Sequence, residues 1–168
     1  MIREYLHKKR LNIVKKHLGG IADLDLGAGK SPKGEISLDI GKEFDPDIRG
    51  DVQFLPIRNE SVSSVVCSHV IEHVNDVNKV MDEIRRILKK DGLAVFFLPD
   101  DGSKLWRVLK PAWTIYYGMA VSKESTPETH THSFNYEKFE GFLKEFFDSL
   151  EVGKMNLGME IYAVCKRR

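Results

Sequence analysis

Short apolar runs that alternate with helical segments are the feature that most constrains how this chain folds. Runs of strand length lie at residues 21–26, 35–40, 64–68 and 93–98, with a weaker one at 48–51. Apolar residues then recur at helical spacing before the last of these runs: Val77, Val80, Met81, Ile84, Ile87 and Leu88. Because strands that alternate with helices form a mostly parallel sheet with helices on its faces, the pattern predicts an α/β fold.

The two ends of the chain add further elements. Residues 2–18 predict a basic amphipathic helix that ends at Gly19-Gly20, and its apolar side comprises Ile2, Leu6, Ile13 and Val14. Residues 135–147 predict another helix, and the runs at 149–155 and 159–165 predict two strands. A chain of 168 residues is of the size of one domain, so we expect a single domain.

Capping residues bound the helix over residues 77–88. Asn75 or Asp76 is expected to cap its beginning, because both side chains accept hydrogen bonds from free backbone amides. Gly92 is expected to close its end in the left-handed conformation.

Polar residues follow the apolar runs at the points where the strands end. These residues are Asp25, Gly27, Asp39, Asp51, Ser68, His69, Asp100 and Asp101. In an open parallel sheet, a ligand binds outside the carboxyl ends of the strands. The sequence therefore predicts a binding site at the edge where these side chains collect.

The glycine loop after the first run, LDLGAGKSP at residues 24–32, does not fit a phosphate site. A P-loop requires a glycine where Leu24 stands, and the dinucleotide fingerprint requires one where Pro32 stands. About eight residues separate Leu26 from Glu35, too few for a helical crossover between parallel strands. A tight turn without a ligand remains an alternative.

Four segments in order resemble the class I S-adenosylmethionine-dependent methyltransferases, over nearly the whole chain after Gly20. They are residues 24–29 (LDLGAG), 37–40 (SLDI), 50–56 (GDVQFLP) and 68–73 (SHVIEH), and residues 86–92 (RILKKDG) take the place of a fifth family segment. The resemblance implies a Rossmann-like, seven-stranded sheet with its last strand antiparallel and helices on both faces. The first crossover helix is expected to be shortened or absent, since only residues 30–34 stand in its place.

The resemblance also implies S-adenosylmethionine as the cofactor and S-adenosylhomocysteine as the product. It places the glycine loop beneath the methionine part, Asp39 at the ribose hydroxyls and Asp51 at the adenine amino group. The implied cofactor residues are Asp25, Gly27, Ala28, Gly29, Lys30, Asp39, Ile40, Asp51, Val52, Ser68 and His69. Lys30 is a candidate to replace the missing helix N-terminus at the methionine carboxylate. Asp39 is expected at an open strand end, without a structural partner.

The acceptor is a small molecule or a glycan-like compound by this resemblance, because the shortened loop is similar to a subset of small methyltransferases associated with surface glycans. Candidates for catalysis are His69, Glu72 and His73. The alternative for Glu72 and His73 is that they start or support the next helix, and for His69 it is a backbone role beside the cofactor. Residues 101–134 are the candidate lid, and the predicted substrate residues there and at the strand end are Asp100, Trp106, Trp113, Tyr117, His130 and His132. A satellite aromatic core, or contact with a membrane surface or a lipid-linked acceptor, are the alternatives.

Composition and charge limit the kinds of partner that we expect for this chain. The net charge of +1 gives no global attraction to nucleic acid, so a nucleic-acid partner is not expected. The two histidines at 130 and 132 are a weak metal signal, and no metal site is predicted. No secretion signal or membrane-spanning run is recognised, and we expect a cytoplasmic protein. A non-catalytic cofactor-binding module and, from the basic N-terminal helix, an RNA methyltransferase remain alternative functions.

Overall fold

A seven-stranded sheet forms the centre of the molecule. The computed structural model describes residues 2–105 and 131–168. The strands are β1 (Ala22–Leu26), β2 (Gly34–Asp39), β3 (Ile48–Arg49), β4 (Val62–Ser68), β5 (Leu88–Pro99), β6 (Ser149–Met155) and β7 (Glu160–Lys166). Their order is β3-β2-β1-β4-β5-β7-β6, and β7 runs antiparallel to both of its neighbours. The predicted mostly parallel sheet with an antiparallel last strand is confirmed.

Helices cover both faces of this sheet, as predicted. The α-helices in the described ranges are α1 (Ile2–Leu18), α2 (Val77–Ile87) and α3 (Tyr136–Phe146). One face carries the larger core, in which α2 and α3 pack on strand residues such as Leu24 and Phe96. The other face carries a smaller core, in which Val14 of α1 meets Phe97. Phe96 and Phe97 point to opposite faces because side chains alternate along a strand.

The first crossover contains no helix, in agreement with the sequence. The seven residues between β1 and β2 form turns, and the amide of Ala22 donates to the Lys33 carbonyl where this loop returns to the sheet. At the other end of the loop, the Gly27 amide donates to the Leu38 carbonyl at 2.8 Å. The loop therefore lies across the end of β2, directly at the carboxyl edge.

The end of α2 differs from the prediction. The helix stops at Ile87, and Leu88 already has extended backbone and begins β5. Gly92 is not left-handed, and the positive φ in this segment belongs to Asp91, at 63°. Pairing with β4 explains the difference, because β5 begins with Leu88 opposite Val62 and resumes with Leu93 opposite Ser64 across an irregularity.

At the beginning of α2, Asp76 is the capping residue. Its carboxylate accepts a hydrogen bond from the Lys79 amide at 3.1 Å. We expect Asp76→Ala to lower the free energy of unfolding by about 1 kcal/mol, the typical value of a lost N-cap. Asn75→Ala, a change of the exposed neighbouring residue, serves as the control and should shift it by no more than about 0.5 kcal/mol. Urea titration measures both, and equal losses would contradict the assignment of the cap.

Two glycines of the first loop differ in what surrounds them. Gly27 and Gly29 both have positive φ, 65° and 54°. A Cβ on Gly27 would overlap the Val70 side chain, whereas a Cβ on Gly29 would meet no atom within 4 Å.

This difference makes the two positions a matched pair. Gly29→Ala should cost about 1–2 kcal/mol, the backbone penalty of the left-handed conformation. Gly27→Ala carries the same penalty and about 1–3 kcal/mol more for overpacking against Val70. Thermal and urea unfolding without added ligand measure the two losses. A Gly29→Ala variant that is destabilised as much as Gly27→Ala would contradict the close packing.

Candidate active site

The carboxyl edge of the parallel strands brings the predicted cofactor residues together. Leu26, Asp39 and Ser68 end β1, β2 and β4, and His69 directly follows β4. The ends of these strands are neighbours in the sheet order. The glycine loop lies over the same edge, so the sequence segments that suggested a ligand site are adjacent in space.

Asp39 fastens the glycine loop. One carboxylate oxygen accepts the Gly29 amide at 2.9 Å, and the other accepts the Gly41 amide at 2.8 Å. The side chain is buried, with 7% of the residue exposed. The expectation that Asp39 has no structural partner is therefore wrong, because its carboxylate accepts hydrogen bonds from the Gly29 and Gly41 amides of two turns. Each oxygen retains a second lone pair, so the carboxylate can still accept hydrogen bonds from a ligand.

Next to Asp39, the adenine-side candidates have different surroundings. Ile40 is 66% exposed, an unusual position for an isoleucine, directly after the end of β2. Asp51 is half-buried, and its carboxylate accepts the Gln53 amide at 2.8 Å. Val52 lies in the larger core instead of facing solvent. Ile40 and Asp51 thus offer an apolar surface and a hydrogen-bond acceptor, whereas the Val52 side chain packs in the core.

Asp25 forms a buried pair with a lysine that the sequence analysis did not select. Its Oδ2 accepts the Lys33 amide at 2.6 Å and lies 3.9 Å from the Lys33 ammonium. Oδ1 is buried and has no hydrogen-bond partner. Burial raises the pKa of Asp25 to about 6 and lowers that of Lys33. Lys30, the predicted cation of this loop, is exposed.

The catalytic candidates His69 and Glu72 belong to an ion network. His69 Nε2 lies 2.9 Å from Glu160 Oε1, and His69 Nδ1 lies 3.3 Å from Glu72 Oε1. Arg10 of α1 donates to the same Glu160 oxygen at 2.6 Å. Glu72 is 2% exposed, and its Oε2 has no hydrogen-bond partner. His73, the third candidate, is half-buried in the same turn, where its amide donates to the Val70 carbonyl.

Of the substrate candidates, Asp100 and His132 can be located. The Asp100 carboxylate is buried, lies 2.7 Å from the Lys154 ammonium and accepts the Gly102 amide. The His132 amide donates to the Glu72 carbonyl at 3.1 Å, which places the segment after residue 130 beside the network. Trp106, Trp113, Tyr117 and His130 lie outside the described residues, as does most of the segment predicted to be the lid.

Neither a metal site nor a membrane-spanning helix is formed by the described residues. Within residues 2–105 and 131–168, no group of three or more His, Cys, Asp or Glu side chains could hold a metal ion. No helix in the same ranges is long and apolar enough to cross a bilayer.

Sequence reasoning missed Lys33, Arg10, Glu160 and Asn156. Arg10 belongs to the basic N-terminal helix, and its side chain is largely covered where it pairs with Glu160. Glu160 stands in an apolar run, and a carboxylate within a predicted strand was the available signal. Asn156 precedes that strand, is 8% exposed and donates to Glu160 Oε2 at 2.5 Å.

Comparisons with known proteins agree with this arrangement. Residues 24–96 match the family described as a methyltransferase domain. A malonyl-[acyl-carrier protein] O-methyltransferase of Nitrosospira multiformis is 34% identical over 67 residues, 39% of this chain and 22% of that protein. An uncharacterized protein of Methanocaldococcus jannaschii is 39% identical over 61 residues, 34% of this chain and 27% of that protein. The match thus spans about a quarter of the length of these curated relatives.

Solved structures extend the likeness to the whole fold. A Thermotoga maritima S-adenosylmethionine-dependent methyltransferase, described as a possible histamine N-methyltransferase, superposes with a TM-score of 0.77 at 17% identity. The superposition covers 96% of this chain and 89% of that one. At this identity the likeness shows the fold, and the domain match over residues 24–96 adds the motif segments. Residues 24–96 are thus similar to the methyltransferase-domain family, and the fold is the one that solved S-adenosylmethionine-dependent methyltransferases have.

Proposed function

We propose that this protein transfers a methyl group from S-adenosylmethionine to a small-molecule or glycan-like acceptor. The observation that carries the proposal is the glycine loop fastened to β2 by the buried Asp39 carboxylate. A carboxylate, a turn with open space beside Gly29 and an exposed Ile40 thus lie at the carboxyl edge of the sheet, where ligands bind in open parallel sheets.

The residues present fit this cofactor better than a nucleotide. S-adenosylmethionine carries an ammonium and a ribose diol as hydrogen-bond donors, and it has no phosphate. Asp39 and Asp51 are acceptors at the edge, and the buried Asp25 Oδ1 is an acceptor without a donor. Carboxylates accept strong charge-assisted hydrogen bonds from such donors and repel phosphates.

When bound, the cofactor supplies an electrophilic methyl group on a sulfonium ion. The protein's own contribution is to hold the acceptor close to that methyl group and in line with it, which can account for much of the rate. Asp39 and the glycine loop orient the cofactor. Side chains after β4 are in a position to orient the methyl acceptor.

Unpaired oxygens at this edge favour an acceptor that bears O–H or N–H groups. Glu72 Oε2 and Asn156 Oδ1 are buried, and neither has a hydrogen-bond partner. Both belong to residues that contact the network around His69 and Glu160. A buried oxygen that accepts no hydrogen bond costs about 1–3 kcal/mol of stability. A hydroxyl or amine group of a bound methyl acceptor would remove this cost by donating to it.

Glu72 is the best candidate to receive such a donor. Burial alone would raise the pKa of Glu72, but the hydrogen bond from His69 outweighs it and lowers that pKa below its usual value. The carboxyl is therefore ionised at neutral pH. His69 has both ring nitrogens engaged by carboxylates, so it is not free to take a proton from the acceptor.

Asp39→Asn tests the cofactor site. The change keeps the shape but removes the charge and replaces one acceptor by a donor, so the affinity for S-adenosylmethionine should fall by about 1.5–3 kcal/mol. This equals roughly a ten- to hundredfold higher dissociation constant by calorimetric titration. The variant should also lose about 1–3 kcal/mol of unfolding free energy, since it leaves a loop amide without its acceptor.

Asp47→Asn is the matched control. The Asp47 carboxylate also accepts a backbone amide of β2, that of Ser37 at 2.8 Å, but it holds no part of the glycine loop. The affinity of the Asp47→Asn variant for S-adenosylmethionine should stay within about threefold of that of the unmodified protein. Equal affinity of the Asp39→Asn variant and the unmodified protein would place the ribose elsewhere and refute the proposed site.

Glu72→Gln tests the acceptor side. Formation of S-adenosylhomocysteine from a small-molecule extract should fall about a hundredfold, in the range expected for a lost proton-accepting group. The rate should fall much further than the cofactor affinity, because Glu72 is assigned to the methyl acceptor and reaches the cofactor loop only indirectly, through His69. Mass spectrometry measures the product.

The same assay separates the alternative functions. Turnover with purified RNA in place of the extract would favour an RNA methyltransferase. Cofactor binding without turnover on either would favour a non-catalytic module. An unchanged rate in Glu72→Gln would refute the role of this carboxylate.

A further inference from the structure

A chain of four charged side chains, of which Glu72 and Glu160 are buried and Arg10 and His69 partly exposed, links three distant parts of the sequence at the carboxyl edge. Arg10 of α1 and His69 after β4 both contact Oε1 of Glu160, the first residue of β7, at 2.6 and 2.9 Å. His69 reaches Glu72 with its other ring nitrogen. The second Glu160 oxygen accepts the Asn156 side-chain amide. Glu160 is thus held by three donors and cannot move without breaking several contacts.

The geometry favours the charged form of the histidine. A neutral imidazole has one N–H donor and one acceptor nitrogen. Because both ring nitrogens of His69 face carboxylate oxygens, a neutral ring would point a lone pair at one of them. Burial opposes the charged form, but the hydrogen bonds to Glu160 and Glu72 outweigh it and raise the pKa of His69. This arrangement favours the imidazolium form, which donates to both carboxylates.

The His69 backbone needs such a restraint. Its φ is 57°, in the left-handed region that residues other than glycine rarely occupy. The amide donates to the Phe97 carbonyl at 2.8 Å, which fixes one end of the residue. The bridged ring fixes its side chain. Together these contacts turn the chain sharply at the end of β4.

This turn bears directly on the glycine loop. Val70, the next residue, is the side chain that leaves no space for a Cβ on Gly27. The path of the chain at His69 therefore sets the position of Val70, and Val70 packs on the first glycine of the loop. A displacement at His69 would reach the cofactor loop through one packed contact.

We propose that Arg10 and Glu160 are positioning residues for the cofactor site, and that they act by holding His69 in its left-handed conformation. The proposal rests on the proposed function, since it takes the glycine loop as the cofactor loop. It makes the N-terminal helix part of the active site through Arg10. The charged and titratable groups around His69 are Glu72, Glu160 and Arg10, with His73 on the same turn and the Asp25–Lys33 pair close by.

Glu160→Gln is the central variant and Arg10→Gln the second one, and Arg167→Gln is the control matched to Arg10→Gln. Arg167 is buried to the same degree as Arg10 and pairs with a glutamate, Glu60, but it lies at the opposite edge of the sheet. Calorimetric titration with S-adenosylmethionine should show about a tenfold loss of affinity in Glu160→Gln and less than about a twofold change in Arg167→Gln.

A spectroscopic measurement separates positioning from general stability. The imidazole pKa of His69, followed by NMR in the free protein, should fall in Glu160→Gln because one carboxylate is lost. The pH at which cofactor affinity weakens on raising the pH should move down with it. A merely structural role of Glu160 would lower the melting temperature without moving this midpoint. Arg10→Gln, at the periphery of the network, provides a second variant if Glu160→Gln does not fold, and its affinity should fall in the same direction.

The outcomes are distinct. A lowered His69 pKa with unchanged cofactor affinity in Glu160→Gln would overturn the positioning role and leave the proposed function intact. A His69 pKa that does not respond would show that the network is not formed, and would overturn the inference as well. If the unmodified protein does not bind S-adenosylmethionine, the proposed function fails, and this inference fails with it.

Discussion

The attachment of the glycine loop to the end of β2 is the constraint on which the site depends. Backbone bonds to the Leu38 carbonyl and the Asp39 carboxylate hold a loop that is too short to contain a helix. A crossover helix would pack on the sheet and present its N-terminus to a ligand. In its place, this chain uses turn amides and a buried carboxylate. The edge is therefore rich in acceptors, which suits a ligand with an ammonium and a diol.

The charged side chains at this edge form two groups that differ in how well opposite charges are paired. Around His69, two cations and two carboxylates alternate, so the network is neutral and most of its atoms are satisfied. The Asp25–Lys33 pair is less favourable, since its charged groups lie 3.9 Å apart and burial shifts the pKa of each toward its neutral form. Three buried oxygens without a hydrogen-bond partner, those of Asp25, Glu72 and Asn156, lie at the edge where a ligand is expected, in keeping with the strain that proteins retain at functional sites.

Most of the fold followed from hydrophobic periodicity. The bounds of β1, β2, α2 and α3 were predicted to within about two residues, because their apolar patterns match the core that they form. The early start of β5 was missed, since residues 88–92 carry two lysines and an aspartate and enter the sheet through pairing with β4. The Asp39 position was predicted from its place at a strand end. Its two amide partners, and the roles of Arg10 and Glu160, depend on contacts between distant segments that periodicity does not encode.

The central claim is that the cofactor lies over the glycine loop with its ribose at Asp39. A crystal structure of the complex with S-adenosylhomocysteine tests it most directly. The account predicts ribose hydroxyl oxygens at about 2.5–3.0 Å from the Asp39 carboxylate, the range of O–H···O hydrogen bonds. A ligand bound away from this edge, or a ribose that makes no contact with Asp39, would contradict it.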